Sequence, residues 1–198
     1  MTMGLTMITR PACEALVARI GFAPIIVRAT LFTLCMAGFV QSSEVHAAQQ
    51  QAAAERIVAG CIARSAAGRG WLEKTLWGLR DQEGGWIGAE VRNRDGSHDL
   101  GPLQVNSWWV PKLAAVTRRP AADVRRWLTH DACFNVDAAR WIFLSGLSVA
   151  RDYWKAVGVY HSPTGWRQQR YTSSVVVHLQ RRFGKEIFAV GATGRTVR

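Results

Sequence analysis

Trp71-Leu72-Glu73-Lys74-Thr75-Leu76-Trp77-Gly78-Leu79-Arg80-Asp81-Gln82-Glu83-Gly84-Gly85 spells an amphipathic helix with an abrupt end. Trp71, Leu72, Leu76, Trp77 and Leu79 recur at helical spacing on one face, and Gly84 supplies the left-handed stop that closes many helices. Glu83 therefore occupies the last turn. There the negative end of the helix dipole disfavours an ionised carboxylate, and Trp86, three residues on, is placed to exclude water from it. Both influences raise the pKa, the condition under which a carboxyl keeps its proton near neutral pH and donates it as a general acid. Taken alone, a Glu-Gly pair is more simply a surface glutamate near a helix end. The downstream residues weigh against that: a polar turn leads into Gly101-Pro102-Leu103-Gln104-Val105-Asn106, which suits one proton-donating carboxyl beside a groove.

Upstream, Arg10, Arg19 and Arg28 precede an apolar run from Ala29 to Val40, a polar stretch and Val45-His46-Ala47, the order of a signal peptide. Residues 1–47 are expected to be a leader cleaved after Ala47, delivering the protein to the periplasm. A run of twelve residues falls short of the roughly 20 apolar residues that span a bilayer, so no stable membrane span is expected. Residues 48–190 are expected to form one compact domain, followed by a flexible tail over 191–198. Val58-Ala59-Gly60-Cys61 matches a lipobox locally, but Gln49-Gln50-Gln51 and Glu55-Arg56 stand where a hydrophobic run is required, so lipidation is discounted.

Setting the leader's Arg10, Arg19, Arg28, Glu14 and Glu44 aside from 25 basic and 14 acidic residues leaves 22 and 12, a net charge of +10. Such a surface attracts polyanions. Export argues against nucleic acid, whereas the bacterial wall carries free carboxylates on its peptide stems. Cys13 and Cys35 depart with the leader, and the remaining Cys61 and Cys133 are most simply a disulfide in an oxidising compartment, with two buried thiols as the alternative.

The pattern predicts a first helix over Ala52–Ala67, stopped by Gly68-Arg69-Gly70 and carrying Ile57, Cys61 and Ile62 on its apolar face. Asn93-Arg94-Asp95-Gly96 between Val91 and Leu100 reads as a hairpin turn. Ser107 can cap a short helix through Leu113 and Val116, and Pro120 can open another ending near His130. Asp131 to Gly158 reads as one long helix or two abutting ones, Tyr160-His161-Ser162-Pro163-Thr164-Gly165 as a loop, and Tyr171 to Arg182 as a helix. The fold class is α+β and mostly α, with a small β-hairpin.

Glu83-Gly84-Gly85, then Asp99-Leu100-Gly101-Pro102-Leu103-Gln104-Val105-Asn106, then Val159-Tyr160-His161-Ser162, resemble in order and spacing the lytic transglycosylases with a lysozyme-like fold (SLT domain). The closest likeness is to the small ones associated with conjugation and type III or type IV secretion machines, and it covers about Cys61 to Phe183; the two cysteines are placed like that subgroup's disulfide. The resemblance implies a peptidoglycan lyase in which Glu83 is catalytic acid and base, Gly101 lets the chain pass close to the sugar, Gln104 and Asn106 line the cleft, and Tyr160 positions the glutamate or the substrate. Taken singly, these four are as readily a hairpin glycine, two exposed amides and a core tyrosine. The sequence departs from the wider family at Gly84, where Ser is commoner, at Leu103, where Met is, and at His161-Ser162-Pro163, where Asn-Ala-Gly stands; His161 would have to replace the asparagine's hydrogen bond to sugar.

Hydrolytic glycosidases employ a second carboxylate, for which Asp95 and Asp99 are the near candidates, though both fall where Asp favours local backbone bonding. The resemblance implies a one-carboxyl route to a 1,6-anhydro sugar. Two rivals remain, a hydrolytic muramidase and a non-catalytic wall-binding assembly protein. All nine tryptophans follow the leader: Trp77, Trp127, Trp141 and Trp154 fit helical core patterns, and Trp86 and Trp108 are the candidates for sugar stacking. Asn93, Asp95, Ser97 and Asp99 alternate like a calcium loop, but the closing Glu is missing, so no metal or cofactor is expected. The expected partners are peptidoglycan and the components of a secretion or conjugation machine, with the protein itself monomeric.

Overall fold

The structure, a computed structural model, describes residues 25–188. The first 24 residues of the expected leader and the expected tail lie outside them. The chain divides into two compact units, Met1–Ala53 and Ala54–Arg198. Helix α1 spans Ile25–Ala66, so it begins well before the Ala52 expected from sequence, and the expected cleavage point after Ala47 falls within it. Among the described residues no helix is long and apolar enough to cross a membrane.

In the second unit, the end of α1 buries Val58, Cys61, Ile62 and Ala66, while Ile57 faces outward, one position off the expected stripe. Helix α2 (Gly70–Glu83) buries Leu72, Leu76 and Leu79 and ends as predicted, with Gly84 at φ 60° and its N–H donating to Arg80 O. Strands β1 (Glu90–Arg92) and β2 (His98–Leu100) form the predicted hairpin. A third strand that the sequence reading lacked, β3 (Val105–Asn106), adds antiparallel to β2 with Asp99 opposite Asn106. The fold is thus α+β and mostly helical, as the patterning implied.

A 3-10 turn (Ser107–Trp109) leads into α3 (Val110–Thr117). Ser107 is not its cap: Asn106 Oδ1 accepts from Trp108 N, and Ser107 Oγ instead accepts from His98 N, tying the turn to β2. Helix α4 (Ala121–His130) starts after Pro120 as expected. The long apolar stretch is two helices, α5 (Ala132–Ala150) and α6 (Tyr153–His161), separated by Arg151 at φ 53° and restarted by Asp152, whose side chain accepts from Lys155 N. Helix α7 (Gly165–Phe183) begins six residues before the predicted Tyr171, and a 3-10 turn (Lys185–Phe188) follows. Gly78 lets α2 and α7 approach closely, since a Cβ there would lie 3.0 Å from Leu179.

Cys61 and Cys133 are bonded and join α1 to α5. Trp127, Trp141 and Trp154 are half-buried against the core, as expected, in edge-on pairs with Phe134, Trp109 and Tyr153. Arg182 makes two hydrogen bonds to Asp81 and lies 3.8 Å from the centroid of Trp77, and Arg125 pairs with Glu90.

The segment from Leu100 to Asn106 is held by one buried side chain, Asn135 of α5. Its Nδ2 donates to Leu100 O and Leu128 O, each at 2.8 Å, and its Oδ1 accepts from Leu103 N at 2.9 Å. An unmet buried polar group costs about 1–3 kcal/mol, and Asn135→Ala would orphan three. That variant should lose about 3–5 kcal/mol in urea unfolding; a loss below about 1 kcal/mol would show the hub to be dispensable.

Candidate active site

Helix α2 delivers Glu83 to the edge of a cavity of about 470 Å³ bounded by the hairpin, the Gly101–Asn106 segment, α5, the end of α6 and the start of α7. The second glycine after Glu83 has a spatial reason. A Cβ at Gly85 would stand 2.2 Å from Gly101 O and 2.7 Å from Gln104 Nε2, so only glycine lets the chain leaving α2 lie against that segment. Gly84 turns the chain and Gly85 seats it.

Gln104 lines the cavity and has φ 48°, an uncommon conformation for a residue with a side chain. Its backbone N–H and its Nε2 both donate to Gly101 O, at 3.1 and 2.8 Å, closing a tight turn. Asn106 and Asp99 also line the cavity, with Asn106 Nδ2 donating to Asp99 Oδ1 at 2.8 Å and to Ser97 Oγ at 3.0 Å. Asp95 is absorbed locally, its Oδ1 accepting from Ser97 N and Ser97 Oγ, the turn role that its sequence setting favoured.

Gly101 does not line the cavity. Its missing side chain makes room for protein, because a Cβ there would fall 2.1 Å from Leu128 O and 2.5 Å from Asn135 Nδ2. Trp86 and Trp108 are 60% and 73% exposed and do not line this cavity. The indole that does reach the wall is Trp109, half-buried and edge-on to Trp141 at 6.0 Å.

Tyr160 lines the cavity from the last turn of α6, but its hydroxyl donates to Leu103 O at 2.9 Å. It thus braces the Gly101–Asn106 segment and does not itself bond Glu83. The residue that does is Tyr171 of α7, whose hydroxyl donates to Glu83 Oε1 at 2.5 Å. Sequence reasoning missed it. Its only local signal was a polar-handled aromatic on the apolar stripe of α7, and its partner lies 88 residues away. His161, expected in a loop, ends α6 and stacks on Tyr171, with ring centroids 4.6 Å apart and planes 6° apart.

The electrostatics follow from this enclosure. Removal from water pushes Glu83 up to about 7; the Tyr171 hydrogen bond opposes that rise and the Asp99 charge adds to it. The predicted direction is right, but enclosure by the cavity walls is the cause in place of the exposed Trp86. Burial, with Glu83 nearby, holds both Tyr160 and Tyr171 well above the usual phenol range, so both keep their protons and Tyr171 remains a donor. Burial lowers His161, aided by Arg167 and opposed by Asp99, which favours a neutral ring. Among the described residues no cluster of three or more His, Cys, Asp or Glu is arranged to hold a metal.

No protein-family model matches the chain. The chain is similar to the invasion protein IagB of Salmonella typhimurium, strains SL1344 and LT2, and of Salmonella typhi. Each is 27% identical over 114 residues, covering 57% of this chain and 63% of the relative. The chain thus spans less than two thirds of the length of the curated relatives it matches.

The raised Glu83 carboxyl has a sign in stability. Between about pH 4.5 and about 7 the folded protein holds a proton that the unfolded chain has released, so stability falls as pH rises through that window and levels off above it. Glu83→Gln should remove that slope and be more stable above neutral pH by about 1–3 kcal/mol, read from urea unfolding at several pH values. Tyr171→Phe, which deletes the one bond favouring the carboxylate, should move the Glu83 midpoint above about 7 in a carboxyl-carbon NMR titration.

Proposed function

We propose that this protein is a peptidoglycan lytic transglycosylase, cutting the β-1,4 bond between N-acetylmuramic acid and N-acetylglucosamine to leave a 1,6-anhydro-muramoyl end. The observation that carries the reading is a carboxyl poised at about 7, enclosed in a cavity with Gln104, Tyr160 and Asp99 and bonded by a tyrosine that keeps its own proton. A carboxyl with that pKa is divided between acid and base at neutral pH, so one group can serve in both halves of the reaction. Glu83 protonates the glycosidic oxygen as the bond breaks. The carboxylate so formed then takes the proton of the muramoyl C6 hydroxyl, whose oxygen closes onto C1. The Glu83 proton is restored and water takes no part.

Gln104 is the amide offered to sugar hydroxyls and N-acetyl groups; Asn106, its amide committed to Asp99, Ser97 and Trp108 N, holds the Asp99 carboxylate on the wall, where His161 and Trp109 are the rings. The leader expected from the sequence, the basic composition and the Cys61–Cys133 bond support work in the periplasm. Similarity to proteins named for invasion supports a local wall-opening role beside a secretion or conjugation machine. A second reading, hydrolysis by a muramidase, is favoured by one observation: Asp99 lines the same cavity as Glu83. Its side chain is engaged by Asn106, as befits a carboxylate held for electrostatics.

Digestion of sacculi by the purified protein, with products weighed by mass spectrometry, separates the readings. Anhydro-muramoyl ends should predominate, whereas solely reducing ends would mean hydrolysis. Glu83→Gln should lower turnover by about 10²–10⁴-fold while binding to sacculi persists. Undiminished lysis by that variant would remove Glu83 from the chemistry.

A further inference from the structure

A second cavity, of about 410 Å³, adjoins the first, and His161 and Arg167 line both. Its remaining wall comes from the start of α7 and from Gln82, the residue before Glu83. Among the described residues no carboxylate lines it, while Arg167 and Arg170 do, one helical turn apart on α7. Neither arginine has an ion-pair partner among the described residues, in contrast to Arg80, Arg125, Arg126 and Arg182.

Their position is unfavourable for the helix itself. Helix α7 has no acidic residue in its first turn and no side-chain cap from Thr164, and cations near a helix start oppose the dipole. The same N-terminal field that disfavours them welcomes an incoming anion. Gln82 completes the wall beside the two arginines. Trp166, 62% exposed and with the Arg167 guanidinium 5.3 Å from its ring centroid, supplies an apolar flank.

We propose that this second cavity is a subsite for the peptide stem of the muramoyl residue held in the first cavity, with Arg167 and Arg170 taking a stem carboxylate. The inference rests on the transglycosylase reading. The stem is the chemistry that fits, since it leaves the glycan at the muramoyl lactyl group, carries carboxylates, and offers amide donors along an extended backbone. A cavity that shares His161 and Arg167 with the glycan site is where such a branch would run. Arg170 lines the second cavity alone and acts on which strand is preferred, apart from the bond-breaking groups.

The test compares wild type, Arg170→Gln and Arg170→Lys on two substrates: glycan strands bearing peptide stems, and strands stripped by an amidase, which keep the lactyl carboxylate. Wild type should prefer stem-bearing strands by about three- to tenfold in kcat/KM, the range of a partly screened charge pair. Arg170→Gln should erase that preference through KM, with kcat and stripped-strand cleavage unchanged, and Arg170→Lys should restore part of it. No preference in the wild type, no effect of the variant, or an equal loss on both substrates would overturn the subsite. Equal loss would mean that Arg170 reads the glycan or the lactyl group. Cleavage of neither substrate by the wild type would instead remove the transglycosylase reading, and the subsite with it.

Discussion

The amide of Asn135 sets the geometry on which the candidate site depends. A buried amide with three backbone partners must sit where all three are met, and those partners belong to Leu100, Leu103 and Leu128, on the sheet, the following turn and α4. Because each unmet group would cost about 1–3 kcal/mol, alternative positions of the Gly101–Asn106 segment are strongly disfavoured. Gly101 is part of the same constraint, since any side chain there would collide with Asn135 and Leu128 O. Tyr160 adds a brace from the other side through Leu103 O. Gln104 and Glu83 thereby line one cavity, and Gly85 allows the two segments to touch.

Enclosure then does the chemical tuning. The helix dipole at the end of α2 was the effect most visible in sequence, yet the larger influence is removal of the carboxyl from water by walls drawn from α5, α6, α7 and the sheet. Tyr171 opposes it with one hydrogen bond, so the pKa settles near neutrality without climbing further. The two influences come from different parts of the chain. A glutamate that both gives and takes a proton at neutral pH requires that balance, and neither alone supplies it.

Much of the fold was legible because it rests on local rules. The end of α2 at Gly84, the hairpin at Asn93-Arg94-Asp95-Gly96, the start of α4 after Pro120 and the half-buried tryptophans all follow from periodicity and turn chemistry. Of the candidate site, Glu83, Gln104, Asn106, Tyr160 and His161 do line one cavity. Gly101, Trp86 and Trp108 do not. Proximity in sequence to a motif says nothing about which way a side chain faces, and a glycine required for space looks the same in sequence whether ligand or protein fills that space.

By itself the sequence determined where helices stop, which faces are apolar, that two cysteines could pair, and that one glutamate ends a helix beside a turn, since each of these depends on residues within a few positions of one another. Only the tertiary structure decided that Tyr171 holds Glu83, that Asn135 anchors the opposing segment, that Trp109 is the indole at the wall, and that Arg167 and Arg170 line a neighbouring cavity with no acidic partner among the described residues. Those contacts join residues tens of positions apart. Their existence depends on how much water the packed helices exclude and on which polar groups must then find partners, quantities that belong to the folded whole.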